Sequence, residues 1–313
     1  RAVLNSGADK VEINTQAIKK PDFIKEASET IGSQSIVVSI EAKKHSHNNW
    51  EAYYDNGREK SGKDAILWAR EAETLGAGEI LITSVDKEGM QKGVDKELIS
   101  EIRKKVLEAN NISDGYIRPV AWRGSEMMGI SAQKNKIHFA IAAWEWPSYF
   151  SPEAKLKGIK LNISKWRRPD PLTAPVNTKA AGLYMICTLS KHEAESQGFD
   201  DSLMLDYRGY IAEATGANIF FVKDDEIHTP IADCFLDGIT RQTIITIARE
   251  QGISVLEKRI RIEDLNNYKE CFVTGTAAEV TPVNQIAEYK FTPSIICKNL
   301  IEQYSILTNG DKS

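Results

Sequence analysis

The sequence predicts an α/β chain with two organisations: three successive strand–helix units over residues 1–105, then a second α/β region built on short strands and turns. The first part of this reading rests on apolar strands that alternate with amphipathic helices, the pattern of a parallel sheet. The second rests on a change near Asn111, beyond which Asp–Gly turns and short strands replace the long helices. Composition agrees with both. A chain of 313 residues, 42% apolar and 27% charged, has enough apolar surface for one large or two ordinary domains and is not a disordered chain.

Element by element, Lys10–Asn14 is the first strand, and Pro21–Ile31 is a helix with proline in its first turn, where a missing N–H costs nothing. Ser35–Glu41 is a near-continuous apolar strand. Asp64–Leu75 is helical, Glu79–Ser84 is the third strand, and Asp95 to about Ala109 is the third helix. Between the second strand and second helix, Lys43–Asn49 reads as a polar turn; its His45 and His47 have no third ligand nearby and give no metal site. Three such units cannot close a barrel and leave sheet edges open.

Several function classes fall away. The net charge of −4 is spread along the chain, without the basic stripe that nucleic acid needs. There is no run of eighteen apolar residues and no charged start followed by an apolar signal core, so the chain is expected to be cytoplasmic, with no membrane partner. Cys187, Cys234, Cys271 and Cys297 lie far apart and read as free, partly buried thiols rather than as a metal or redox motif.

Three blocks at the front, Gly7–Thr15, Gly32–Lys43 and Gly76–Gly89, resemble the cyclase subunit of imidazole glycerol phosphate synthase, a strand–helix barrel enzyme. They match the fourth to sixth of that family's eight strands, so the resemblance implies an incomplete (βα) barrel fragment, residues 1–105. Barrel enzymes keep their chemistry at strand C-termini, which implies a rim of Asn14, Glu41, Thr83 and Asp86. The family has an aspartate acid/base where this chain has Glu41, and misplacing a carboxyl by about 1 Å can cost roughly a hundredfold in rate. The family's first-strand aspartate and lysine and its terminal phosphate loops are absent from the sequence. The rim is therefore expected to be vestigial, with no cyclase chemistry.

The second region carries Glu213-Ala-Thr-Gly-Ala-Asn218-Ile-Phe, then Thr229, then Leu236-Asp-Gly238-Ile-Thr240-Arg241. Upstream lies Asn177-Thr-Lys179-Ala-Ala-Gly-Leu-Tyr184, and downstream Thr274-Gly-Thr276-Ala-Ala-Glu-Val-Thr-Pro282. These blocks, in this order, resemble class IV pyridoxal-phosphate aminotransferases, and Gly115-Tyr-Ile-Arg-Pro119 narrows the likeness to the bacterial branched-chain amino-acid enzymes. It covers about two thirds of the chain, from Asp114 onward. The resemblance implies a remnant of the small domain over 106–145 and the large α/β domain of a fold-type IV enzyme over 146–313. The join falls in the helix around Arg103–Ala109.

The implied function is transfer of an amino group between a branched-chain L-amino acid and 2-oxoglutarate, with pyridoxal 5′-phosphate held as a Schiff base on Lys179. One amine can both hold the cofactor and act as general base. The resemblance gives Glu213 the pyridine nitrogen, Tyr184 the cofactor's O3′, and Gly238, Ile239, Thr240 and Thr276 the phosphate. A helix N-terminus after Gly238 suits that anion. Tyr116, Arg118 and the Ala277 N–H are implied for the substrate carboxylate, an arginine fork matching both oxygens, and Trp146 and Tyr149 for its aliphatic side chain. Arg167 and Arg168 read as a solvated basic turn without a role. A homodimer is implied as well. Two alternatives stand beside this reading: another class IV enzyme such as a D-amino-acid aminotransferase or a lyase, and a catalytically impaired or inert chimera of two truncated enzymes.

Overall fold

In the first part of the chain, β1 (Val11–Ile13), α1 (Thr15–Lys19) and α2 (Asp22–Ile31) lead into β2 (Ile36–Ser46). A hairpin of β3 (Asn49–Tyr54) and β4 (Glu59–Asp64) follows, then α3 (Ala65–Thr74), β5 (Glu79–Ser84) and α4 (Lys96–Ala109). Last come β6 (Tyr116–Arg123) and β7 (Ile137–Trp144), a separate antiparallel pair. This computed structural model describes residues 4, 7–46, 49–86, 95–113, 115–127, 129–146, 150 and 157–309, and it forms two compact units, residues 1–147 and 148–313.

In the first unit β2 is the central strand. Its apolar residues pair in parallel with β1 on one side and β5 on the other, so the three strands foreseen from the sequence are parallel neighbours. Ile36, Val38 and Ile40 are buried among Ile24 of α2 and Trp68 of α3. The segment expected to be a polar turn is different. β2 continues through His45 to Ser46 and pairs antiparallel with β3, and His47 lies outside the described residues. The reason is packing: Trp50 and Ala52 are fully buried, and Asp55, Asn56 and Gly57 all take positive φ to turn the chain back into β4.

The second unit contains β8 (Ile159–Arg168), α5 (Tyr184–Ser196), β9 (Asp201–Asp206), β10 (Ile211–Ala214), β11 (Asn218–Lys223) and β12 (Glu226–Pro230). It continues with α6 (Ile239–Glu250), β13 (Val255–Lys258), β14 (Glu270–Gly275), β15 (Glu279–Ile286), β16 (Tyr289–Lys290) and α7 (Ile295–Asn309). β10 pairs with both β9 and β11, so the sheet β10-β9-β8-β15-β14-β11 closes on itself, and β12 and β13 extend outward from β11. Each strand of the ring contributes to one apolar core, through Leu161, Leu203, Ile211, Ile219, Val273 and Val283 among others. The alternate residues Phe220, Val222 and Phe272 face outward and pack on Ile244, Ile245 and Leu300 of α6 and α7. β11 is thus apolar on both faces, which is why Ile219–Val222 reads as an unbroken apolar run.

Asp95 ties the first unit together. It caps α4 by accepting from Leu98 N (3.1 Å) and also accepts from Trp50 Nε1 and Ser84 Oγ (both 3.3 Å), joining helix, inserted hairpin and β5. Asp95→Ala should destabilise this unit by about 2 kcal/mol, the sum of a lost cap and an orphaned buried donor. Urea unfolding followed by Trp50 fluorescence checks this; a change within a few tenths of a kcal/mol would show that the bridge contributes nothing.

Candidate active site

The ring of the second unit closes at a single residue pair, Glu213 of β10 opposite Asn218 of β11, and the site is built on that pair. Asn218 Nδ2 donates to Glu213 Oε2 (3.4 Å) and to Leu236 O (3.0 Å), while its Oδ1 accepts from Gly238 N (3.3 Å). One amide therefore links the carboxylate to the residue that starts α6. A Cβ on Gly238 would lie 2.4 Å from Asn218 Oδ1, so the close approach requires glycine. Arg241 fixes the same helix start from behind: it is buried and binds Asp237 Oδ1 (2.7 Å), Pro230 O (3.0 Å) and Glu257 Oε2 (2.8 Å). Thr229 is fully buried and donates to Ile219 O (2.9 Å), a structural bond between β12 and β11.

A cleft of about 170 Å³ opens over this frame. Lys179, Tyr184, Glu213, Gly238, Ile239, Thr240 and Thr276 all line it, so the structure brings together the seven residues expected at the cofactor. Lys179 is exposed on the loop before α5, and its Nζ donates to Tyr184 Oη at 2.9 Å. Glu213, by contrast, is buried, and burial pushes its carboxyl up to about 8 against the pull of Arg168 and Lys179. The first residues of α6 present backbone N–H groups, which suit an anion. Ala277 follows in the turn after β14 and is not among the lining residues.

Arg168 corrects the sequence reading. It is not solvated but 4% exposed at the end of β8, with Nε 3.2 Å from Glu213 Oε1. The contact is an ion pair off the hydrogen-bond direction: Arg168 Nε is buried without an aligned partner among the described residues. Its Nη1 donates to Leu183 O (3.4 Å) and Cys187 Sγ (3.5 Å), beside the Lys179–Tyr184 segment. Burial pushes the Cys187 thiol up to about 11, so it packs here as a neutral group. All four cysteines are free and buried.

Of the residues expected at the substrate, Tyr116, Arg118 and Trp146 lie in the first unit. Tyr116 on β6 faces Trp144 on β7 (ring centroids 5.2 Å apart), and Trp146 contacts both (5.5 Å each). Arg118 lies over the Tyr116 ring at 5.6 Å. Trp144, absent from the sequence reading, is thus part of an aromatic cluster through its pairing with Tyr116 across β6 and β7. Tyr149 lies outside the described residues. At the proposed rim of the same unit, Asn14 Nδ2 donates to Ser39 O (3.0 Å) and Tyr53 O (3.3 Å), Glu41 Oε2 accepts from Gly57 N (2.8 Å), and Asp86 Oδ2 accepts from Lys44 N (2.6 Å). Thr83 pairs with Glu41 across β5 and β2.

The family described as amino-transferase class IV matches residues 81–286, and that described as histidine biosynthesis protein matches residues 1–119. The chain is similar to a probable branched-chain-amino-acid aminotransferase of Rickettsia bellii, 43% identical over 236 residues, or 74% of this chain and 80% of the relative. Among solved structures it is similar to the branched-chain amino acid aminotransferase of Escherichia coli (TM-score 0.66, 28% identity, 87% of this chain and 86% of that one). A third relative is the branched-chain aminotransferase of Thermobaculum terrenum, solved in its PLP form (TM-score 0.60, 27% identity, 68% of this chain and 71% of that one).

The raised Glu213 carboxyl predicts a pH dependence. Between the ordinary value of 4.5 and about 8 the folded chain keeps a proton that the unfolded chain has released. Raising pH across that window therefore favours unfolding, and the effect levels off above it. Cofactor-free protein should lose stability from about pH 5 to about pH 8, and Glu213→Gln should flatten the slope. Urea midpoints across this range test it; a slope unchanged by Glu213→Gln would assign it to another group.

Proposed function

The chain belongs to the amino-transferase class IV family, and on that premise we propose that it transaminates branched-chain L-amino acids with pyridoxal 5′-phosphate, with 2-oxoglutarate as the acceptor. The observation that carries this reading is the convergence of Lys179, Tyr184, Glu213, Gly238–Thr240 and Thr276 on one cleft. The residues fit the cofactor. Thr274 Oγ1 is a buried polar atom of the cleft lining without a hydrogen-bond partner among the described residues, and the first residues of α6 line the cleft with their backbone N–H groups.

When bound, the cofactor supplies an electron sink that lets the substrate Cα release its proton. Lys179 is the group that takes that proton on Nζ and returns it; the Tyr184 phenol, 2.9 Å away, orients that nitrogen. Glu213 holds a proton at the pyridine nitrogen, where its burial excludes water and its partners Asn218 and Arg168 fix its position. The amides of Ile239 and Thr240, with the Thr240 and Thr276 hydroxyls, hold phosphate. As the family resemblance implies, Tyr116 and Arg118 are assigned to the substrate carboxylate and Trp146 and Tyr149 to its aliphatic group, with the Ala277 N–H as a further donor. A homodimer belongs to the same reading.

For the front unit the proposal is an incomplete (βα) barrel fragment, residues 1–105, followed by a small-domain remnant over 106–145 and the large domain over 146–313. The parallel order β1-β2-β5 and the histidine biosynthesis match support it. The hydrogen bonds of Asn14, Glu41 and Asp86 support a structural rather than catalytic role for its rim.

Two predictions follow from these assignments. Borohydride reduction of the protein with its cofactor should fix the cofactor covalently on Lys179, and Lys179→Ala should abolish both the labelling there and turnover; a label mapped by peptide mass to another lysine would overturn the site. In a substrate panel, valine, leucine and isoleucine should exceed aspartate, and Arg118→Ala should raise KM by about tenfold or more, the worth of a charged hydrogen bond. Preference for D-alanine would assign the chain to a different class IV activity.

A further inference from the structure

We propose that the Thr274 hydroxyl is an additional ligand of the cofactor phosphate, an inference that rests on the cofactor reading above. Thr274 lines the cleft from β14 and is 1% exposed, yet its Oγ1 is buried with no hydrogen-bond partner among the described residues. Native structures rarely leave such a hydroxyl unsatisfied, and one that lines a ligand cleft calls for a partner in the ligand.

Position selects the phosphate as that partner. Side chains alternate along β14: Val273 enters the core of the ring, whereas Phe272 takes the opposite face, toward α6, and Thr274 follows Phe272. Across the sheet Thr274 stands opposite Asn218, the residue whose Oδ1 accepts from Gly238 N at the start of α6. Two residues further on is Thr276, which also lines the cleft. Among the described lining residues only Arg168 and Lys179 are cationic; the first lies against Glu213 and the second on Tyr184. Beside these, Thr240, Thr274, Thr276 and the first amides of α6 offer neutral N–H and O–H donors, and a bond from Thr274 to a charged oxygen is stronger than a neutral one.

The test compares the full chain with Thr274→Val, which keeps the shape without the hydroxyl, and Thr274→Ser, which keeps the hydroxyl. Dissociation constants are measured by absorbance for pyridoxal 5′-phosphate and for pyridoxal, which lacks the phosphate, and melting temperatures without either. Thr274→Val should bind pyridoxal 5′-phosphate about tenfold more weakly, bind pyridoxal as the parent does, and melt no lower than the parent when cofactor-free. Thr274→Ser should match the parent for both ligands. Equal weakening toward both ligands, or no weakening, would overturn the assignment. So would a Val variant that melts lower or fails to fold, because the hydroxyl would then be bonded within the protein. A parent chain that binds no pyridoxal 5′-phosphate would bring down the cofactor reading and this inference with it, whereas a parent that binds alongside an indistinguishable Val variant brings down this inference alone.

Discussion

The pairing of Glu213 with Asn218 is the constraint on which the second unit turns. It is the seam at which β10 meets β11 and the sheet becomes a closed ring, and the same two residues line the cleft. Because side chains alternate faces with a period of two, slipping this seam by one residue would turn Glu213 and Asn218 to the wrong side and carry Ile219 and Phe221 out of the core. Closure and site geometry are thereby one requirement. The Asn218 amide extends it further, since its oxygen sets where α6 begins and Gly238 leaves room for that oxygen.

The cofactor residues Lys179, Tyr184, Glu213, Gly238–Thr240 and Thr276 were legible as what the class IV resemblance implies, and the structure lines one cleft with them. The Glu213–Asn218 seam and the anchoring of α6 by Arg241 were not read from the sequence, because they depend on strand pairing and burial. Arg168 was not legible, for a specific reason. The register of β8 against β9 shifts between Ile163 and Arg167, and this bulge changes which residue of the Arg167–Arg168 pair faces inward. Arg168 becomes buried beside Glu213 while Arg167 stays exposed. Nothing in Lys165-Trp-Arg-Arg-Pro169 distinguishes the two; the difference is made by strand pairing.

The first unit shows the converse. Its parallel strands were legible from their apolar runs, but the β3–β4 hairpin was not, although Asp55-Asn-Gly57 is a left-handed turn sequence between Trp50 and Lys60. Polar strand ends there resemble the chemistry-bearing rim of a barrel enzyme. In the structure Asn14 accommodates both β2 and β3, Glu41 accepts from the hairpin turn at Gly57, and Asp86 holds the backbone of β2. Polar residues at strand C-termini therefore carry two meanings that sequence spacing does not separate: a reactive group aimed at a ligand, or a staple for an inserted segment.

Glu213 carries the first of these meanings. A reactive carboxylate is one whose environment holds it away from its ordinary titration, as burial does for Glu213 with Arg168 and Lys179 nearby. Burying one carboxyl among two cations gives the cleft a proton that its surroundings can draw away, since both cations favour the charged form and desolvation alone opposes them. A cationic ring nitrogen placed beside Glu213 would add to the side of Arg168 and Lys179. The ionised state that is disfavoured in the protein alone then becomes the favoured one, so binding a pyridinium and ionising Glu213 are a single linked event. The cost of burying the carboxyl is thus a preference for the ligand that can neutralise it, which makes Glu213 a selector for a protonated pyridine as well as its anchor.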